Sequence, residues 1–251
     1  MLHIHRQKTR TPVYLRLTLS IVYLLGFLFA GHVAVAQPRE MNLYDHDNKP
    51  YYFGITLGIN APRFHAQMHP NFLQHDSVYT AEPATSYGFS LGLLATGRLS
   101  DRFQVRFNPQ LQFYDRHIRY NLKYPDNNNE AEVKKTVESV AVTFPVQVKF
   151  QSDRIHNFRV YMLGGFRADI DLASNARAKK AEELIKIKKY DFGPEIGIGF
   201  NFFFQSFILS PEIKFTRGIS NIHSRDAGLN YSSVFDKIQS RMIVFSIHIE
   251  G

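Results

Sequence analysis

The stretch FQVRFNPQLQF, residues 103–113, alternates strictly between apolar and polar side chains. The apolar residues are Phe103, Val105, Phe107, Pro109, Leu111 and Phe113, and the polar ones are Gln104, Arg106, Asn108, Gln110 and Gln112. Successive side chains of a β-strand point to opposite faces, so the segment predicts a ribbon with one apolar and one polar face. The medium that covers the apolar face decides what class of protein the chain can be.

The same period of two recurs along the chain and predicts eight strands. We place them at residues 51–60, 86–98, 102–120, 137–150, 158–170, 188–201, 206–217 and 238–249. The links alternate in length: those near 99–102, 151–157 and 202–206 are short, and those near 61–85, 121–136, 171–187 and 218–237 are long and polar. This pattern is typical of bacterial outer-membrane barrels, which have short periplasmic turns and long external loops. We therefore predict an all-β, eight-stranded antiparallel transmembrane barrel over residues 51–251, located in the cell outer membrane.

The polarity of the two faces favours lipid outside the barrel. Bulky residues such as Phe53, Val146 and Phe245 share one face, while small or polar residues such as Gly197 and Gln110 share the other. An eight-stranded barrel has room inside only for side chains, so the small and polar face suits the interior. The rival is a soluble secreted barrel of reversed polarity, which would have to pack more Phe, Ile and Val inside than a small barrel can hold.

The N-terminus predicts a signal peptide over residues 1–36. Basic residues precede the apolar run LTLSIVYLLGFLFAG, and Ala34-Val35-Ala36 supplies a cleavage motif, so we place the cut between Ala36 and Gln37. The alternative is an uncleaved anchor, since residues 17–36 are about long enough to span a bilayer. Residues 37–50 then form a periplasmic N-terminal segment. N-terminal sequencing of the mature protein decides between the two.

Charge and composition disfavour several classes of function. The net charge of +8 falls to +4 without residues 1–36, leaving 26 basic and 22 acidic side chains, and no basic stripe predicts nucleic-acid binding. The chain has no cysteine, which excludes disulfides and thiolate metal sites. We expect no cofactor and no small-molecule substrate.

Ionisable residues on the polar face predict a structural network in the barrel interior. The residues we assign to it are Arg106, Lys149, Arg167, Glu195, Glu212 and Lys214; Arg159, Asp169 and Asp191 share the same face. Buried carboxylates require cationic partners, and Arg106, Arg167 or Lys214 would supply them for Glu195 and Glu212. A salt-bridged plug that blocks conduction is the preferred interpretation; an acid–base pair or proton path is the alternative.

No motif of the chain indicates catalysis. A nucleophile elbow, a phosphate-binding loop and an HExxH motif are all absent, so we expect no enzymatic activity and no catalytic residues, although a surface enzyme acting on lipid or peptide stays open. His65, His69 and His75 lie in the predicted first long loop, without a carboxylate at comparable spacing. We assign them no metal site and interpret them as solvated histidines.

Several segments together resemble the PorT-like outer-membrane barrel proteins associated with type IX secretion and gliding motility. They are KPYYFGITLGIN (49–60), FQVRFNPQLQFYDR (103–116), VTFPVQVKFQSDRIHNFRVYMLGG (142–165), KIKKYDFGPEIGIGF (186–200) and LSPEIKFTRGISNI (209–222). The resemblance implies an accessory to the export of proteins such as proteases and adhesins, with outer-membrane lipid and other envelope proteins of the secretion system as its partners. It implies no enzymatic role. The competing hypothesis is a stand-alone structural or adhesive barrel.

Overall fold

The computed structural model describes residues 40–70, 78–123, 132–174, 187–224 and 234–251. These residues form a short 3-10 helix, Tyr44–Asn48, and ten strands. The strands are β1 (Tyr51–Met68), β2 (Val78–Ala84), β3 (Gly88–Arg98), β4 (Phe103–Phe107), β5 (Gln110–Leu122), β6 (Glu132–Gln151), β7 (Phe158–Asp171), β8 (Tyr190–Phe203), β9 (Ile208–Arg217) and β10 (Phe235–Glu250). All ten lie within the unit Met41–Gly251. The predicted signal peptide and its cleavage position, Ala36 and Gln37, lie outside the described residues.

The strands pair antiparallel and close into a ring of eight. β1 pairs with β3 on one side and with β10 on the other, and β4 and β5 together fill the place between β3 and β6. β4 and β5 are two parts of one strand, interrupted where Pro109 provides no backbone N–H, and their register with β6 is the same on both sides of the break. The predicted eight-stranded antiparallel barrel is therefore confirmed, and its turns at 99–102, 152–157 and 204–207 are short.

Several strands extend further into the long links than the alternation predicted. Residues 61–68 continue β1, residues 78–84 form β2, and residues 132–136 begin β6, although we had assigned these positions to loops. The prediction was wrong there because the polarity of the two faces changes along these strands. A prediction that requires the same face to stay apolar ends each strand at the residue where the polarity of the faces changes.

The outer face of the barrel is apolar, and the inner face is polar, as predicted. Phe53, Val146 and Phe245 have 61%, 56% and 47% of their surface exposed, whereas Gln110 retains 3% and Arg106 none. Such exposure of large apolar side chains is costly in water and suits hydrocarbon, and ring closure pairs the backbone groups that a membrane cannot solvate. The apolar face of residues 103–113 is therefore directed toward lipid.

Beyond the membrane band, on the side of the long links, the polarity inverts. Along β5, the inward positions change from Gln110 and Gln112 to Ile118 and Tyr120, and the outward positions change from Phe113 to polar residues. Inward apolar residues of β1, β2, β5, β6 and β10 pack there with residues from the links into one buried cluster. Its members are Phe64, Val78, Ala81, Ile118, Tyr120, Val137, Ile187, Ile222, Val234, Phe235 and Ile238.

We call these strand extensions and the cluster they enclose the crown. Beyond Asn60 the ring divides into two sheets, in which β1 continues with β10, and β2 continues with β5 and β6. The crown therefore has the apolar core and polar surface of a water-soluble protein. Among the described residues, no helix is long and apolar enough to cross a membrane.

Candidate functional site: the polar interior and its two closures

A cluster of ion pairs occupies the interior of the barrel near its short-turn half. The guanidinium group of Arg106 on β4 donates to Glu212 on β9 at 2.7 Å and to Glu250 on β10 at 3.1 Å, and all three side chains are fully buried. Lys214 and His248 lie 3.6 and 3.4 Å from the other oxygen of Glu212. One arginine thus connects carboxylates of two strands on the opposite wall, which ties the two sides of the barrel together.

Aromatic and neutral polar groups complete this cluster. The Tyr161 hydroxyl donates to Glu212 at 2.8 Å, and the ammonium group of Lys149 lies 4.0 Å from the centre of the Tyr161 ring. That position allows a cation–π interaction, which replaces part of the hydration that the ammonium loses on burial. Thr56 connects the cluster to β1 through its hydroxyl, 2.8 Å from Nδ1 of His248.

A second ionic group lies closer to the crown. Arg167 on β7 pairs with Asp169, and it lies 3.5 Å from Asp191 on β8. Arg116 pairs with Asp171 at 3.3 Å and lies over the ring of Phe64, at the border between the polar interior and the apolar core of the crown. These arginines end the polar interior at the level where the crown begins.

The structure brings four of the six predicted network residues together and places two elsewhere. Arg106, Lys149, Glu212 and Lys214 belong to the first cluster, whereas Arg167 belongs to the second. Glu195 does not share the partners of Glu212; it accepts a hydrogen bond of 2.5 Å from the side-chain amide of Gln147.

Sequence reasoning missed Tyr161, His248 and Glu250. The period-two pattern of β10 already contains the signal for two of them, because His248 and Glu250 continue the inward positions of Ser246. Tyr161 carries no charge at neutral pH, and a search restricted to charged partners passes over it.

The N-terminal segment closes the short-turn end of the barrel. We call residues 41–49, which include the 3-10 helix, the cap. Asp47 lies 3.0 Å from the guanidinium of Arg159 and 3.3 Å from that of Arg154, and Arg154 in turn lies 3.7 Å over the ring of Phe203. Asn42 donates hydrogen bonds to the side chain of Asn157 and to the backbone oxygen of Phe203, at 2.9 and 3.0 Å.

His46 is the buried side chain of the cap. Its ring centre lies 4.5 Å from that of Tyr52, and only 6% of the residue is exposed. Burial lowers the pKa of His46 from 6.5 to about 4, so the ring is neutral in the docked cap at neutral pH. Docking of the cap is therefore coupled to the protonation state of this histidine.

The histidines of the predicted first loop are placed differently from the prediction. His65 lies on β1 opposite Gln239 rather than in a loop, His69 follows the end of that strand, and His75 lies outside the described residues. Within the described part of the chain, no group of three His, Asp or Glu side chains is arranged to hold a metal ion.

The interior leaves little free space between its two ends. A cavity beside Gln110 and Glu195 and another beside Arg116 and Asp171 have volumes of about 10 Å³ each. A space of that size holds about one water molecule. A polar cavity of about 200 Å³ remains at the short-turn end, between the cap and Arg98, Arg154 and Arg159. The arrangement joins strands across the barrel, and its ion pairs connect side chains of different strands.

A closed antiparallel ring with an apolar exterior and a filled, ion-paired interior defines an integral outer-membrane β-barrel. Comparison with protein families agrees, since residues 35–224 match the model described as "Outer membrane protein beta-barrel domain". The chain belongs to this family, and its place is the outer membrane. No curated protein matches the sequence significantly.

Solved outer-membrane barrels resemble the fold at low sequence identity. OprG from Pseudomonas aeruginosa is 12% identical with a TM-score of 0.46, over 80% of this chain and 93% of that one. Neisserial surface protein A is 10% identical with a TM-score of 0.39, over 78% and 96%. Ail, the attachment invasion locus protein of Yersinia pestis, is 8% identical with a TM-score of 0.34, over 81% and 100%. At these values the likeness carries no argument about function, and the family match carries the assignment.

Proposed function

We propose that the protein is an accessory of a type IX-like secretion or gliding system, and that it acts through protein–protein contacts in the cell envelope rather than through catalysis or conduction. The observation that carries the proposal is the closure of the barrel at both ends. Ion pairs fill the interior, the cap covers the short-turn end, and the apolar core of the crown fills the opposite end. A barrel without a passage contributes to export through its surfaces.

The resemblance to the PorT-like family supports the choice of system, and the architecture supports the mode of action. The crown presents a folded surface outside the membrane, on which Arg119 and Glu132 are more than half exposed. The cap presents a second surface on the side of the short turns, where Tyr44 is 68% exposed. Either surface is accessible to another envelope component.

A deletion strain tests the proposed system. We expect the strain to lose export of secreted proteases and adhesins, or to lose gliding. Expression of the wild-type chain should restore whichever function is lost. Normal secretion and gliding in the deletion strain would contradict the proposal. Loss of surface attachment with intact secretion would instead select the stand-alone structural or adhesive barrel.

Photo-crosslinking in the native envelope identifies the contacting surface. A crosslinking amino acid at Lys134 reports on the crown, one at Tyr44 reports on the cap, and one at the lipid-facing Val146 serves as the control. We expect protein adducts at position 134 or 44 and lipid adducts at position 146. Exclusive lipid or self adducts at all three positions would count against a role in protein contacts. Stable conductance of the purified barrel in a planar bilayer would count against its closure.

A further inference from the structure

Three arginines lie side by side on the outer face of the barrel. Arg63 on β1 lies directly opposite Arg241 on β10, and Arg241 lies directly opposite Arg217 on β9. All three occupy outward positions, because the outward residues two places closer to the short turns are the lipid-facing Ile243 and Phe215. We call Arg63, Arg241 and Arg217 the arginine row.

The positive charge of the arginine row is not balanced by the described part of the protein. Like charges directly opposite each other on neighbouring strands repel, and here three occur in succession. None of the three guanidinium groups has an acidic partner among the described residues, and the Nε of Arg241 is buried without a hydrogen-bond acceptor.

The neighbourhood beyond the row is also basic. Lys237 follows on β10, and His65 lies two residues beyond Arg63, outside the lipid-facing band. The pKa of His65 is lowered, first by partial desolvation and then by repulsion from Arg241, Arg217 and Lys237. The row therefore carries a positive charge that an anion from outside the described residues can neutralise.

The height of the row identifies the source of that anion. On β1 the lipid-facing positions run from Phe53 to Ala61, which is about 26 Å along a strand tilted by about 40°, or about 20 Å across the membrane. The arginine row begins one outward position further, on the side of the long links. That level is the headgroup region of the external leaflet, directly above hydrocarbon-facing Ile243 and Phe215.

We propose that the arginine row binds a phosphate group on the headgroup of an anionic lipid in the external leaflet. Guanidinium groups bind phosphate oxygens in pairs, and three of them in a line match a group that carries more than one negative charge. The acyl chains of the same lipid then lie on Ile243 and Phe215. A lipid fits better than a soluble anion because the row forms the upper edge of the apolar surface rather than a pocket in the crown.

Native mass spectrometry of the detergent-purified barrel with bisphosphorylated lipid A tests the proposal. We expect adducts with the wild-type chain and a loss of affinity of about a hundredfold in the triple variant R63Q/R217Q/R241Q, since each of the three cations near a headgroup contributes about one kcal/mol. The matched control R119Q/K123Q/K134Q removes the same charge from the opposite wall of the crown and should keep the wild-type affinity. Lipid A without phosphate should bind neither protein tightly.

A thermal unfolding series keeps the test independent of expression or yield. Bisphosphorylated lipid A should raise the unfolding temperature of the wild-type barrel and of the control variant, but not that of R63Q/R217Q/R241Q. Without anionic lipid, the triple variant should be at least as stable as the wild type because it has lost three mutually repelling charges. Equal lipid affinity of the wild type and the triple variant would overturn the proposal. So would protection by inorganic phosphate at the same concentration as the lipid, which would indicate a site for free anions.

Discussion

Replacing Arg106 by methionine removes the cation that two buried carboxylates share. Its guanidinium is 2.7 Å from Glu212 and 3.1 Å from Glu250, with no exposed surface on any of the three side chains. Breaking a buried ion pair by removing one partner costs about 3–5 kcal/mol, because the remaining charge stays buried. Lys214 and His248 still flank Glu212 in the variant, so we expect a loss of about 3 kcal/mol, at the lower end of that range.

Urea unfolding in liposomes measures this loss. The chain has no tryptophan, so the folded fraction is best read from the gel mobility of unheated samples rather than from intrinsic fluorescence. With a slope of about 1–3 kcal/mol per molar urea, the midpoint should fall by about 1–3 M. The matched control is Arg102→Met, which removes an arginine paired with Asp153 at 3.1 Å, where the two side chains are 58% and 81% exposed. That change should cost less than about 1 kcal/mol.

The variant Arg106→Met/Glu250→Gln separates the effect of charge from that of packing. Glu212 keeps Lys214 and His248 beside it, whereas Glu250 loses the arginine with which it pairs. Replacing Glu250 by glutamine should therefore return much of the stability that Arg106→Met loses, because the neutral amide carries no uncompensated charge. If the unfolding free energies of Arg106→Met and Arg102→Met differ by less than about 1 kcal/mol, the interior cluster is not shielded from water and the reasoning fails. A double variant as unstable as Arg106→Met would attribute the loss to packing.

Three further predictions follow from the same geometry. Gly199→Ala should lower the unfolding free energy by about 1–3 kcal/mol in the same urea assay, because the new Cβ would collide with the ring of Tyr161. The control Gly164→Ala faces outward into open space and should leave the unfolding free energy unchanged. Acid should release the cap, because the neutral His46 stabilises the docked state above about pH 6.5 and this contribution is lost as the pH falls toward 4. Backbone hydrogen exchange in the cap, corrected for its intrinsic pH dependence, should therefore accelerate between pH 6.5 and 4 in the wild type. It should not accelerate in this way in His46→Phe. A carbene reagent dissolved in the bilayer should label Val146 and leave Gln110 unlabelled, and the reverse pattern would overturn the membrane assignment.

The fold was predictable because hydrocarbon imposes one simple rule on most of the strand residues. Where lipid covers the outside and side chains fill the inside, the pattern has a strict period of two, and residues 103–113 display it directly. The extensions of β1 and β6 and the strand β2 were not predictable in this way, because water covers their outer face and an apolar core covers their inner face. At residues 114–118 of β5 both faces change character, and there the prediction carried the strand to residue 120, close to its end at Leu122, without recognising that its polarity inverts.

The composition of the interior network was predictable, but its pairing was not. The alternation of inward and outward positions assigned Arg106, Glu212 and Lys214 to the interior, and the structure places them in one cluster. The pairing of cations with carboxylates depends on the stagger between strands that are far apart in sequence. That stagger cannot be read from the order of the residues. Glu195, expected to have a cationic partner, accepts a hydrogen bond from the side-chain amide of Gln147.

The inversion of polarity also constrains how the barrel can work with other proteins. Within the membrane band, the outer face of each strand is apolar, so the contacts available there are with lipid or with another membrane surface. In the crown, the same strands present polar outer faces over a buried core that includes Ile118 and Phe235. One set of strands runs through both regions, so the crown is continuous with the membrane-anchored ring. This continuity supports the proposed role in protein–protein contacts of the envelope, which requires no movement through the interior of the barrel.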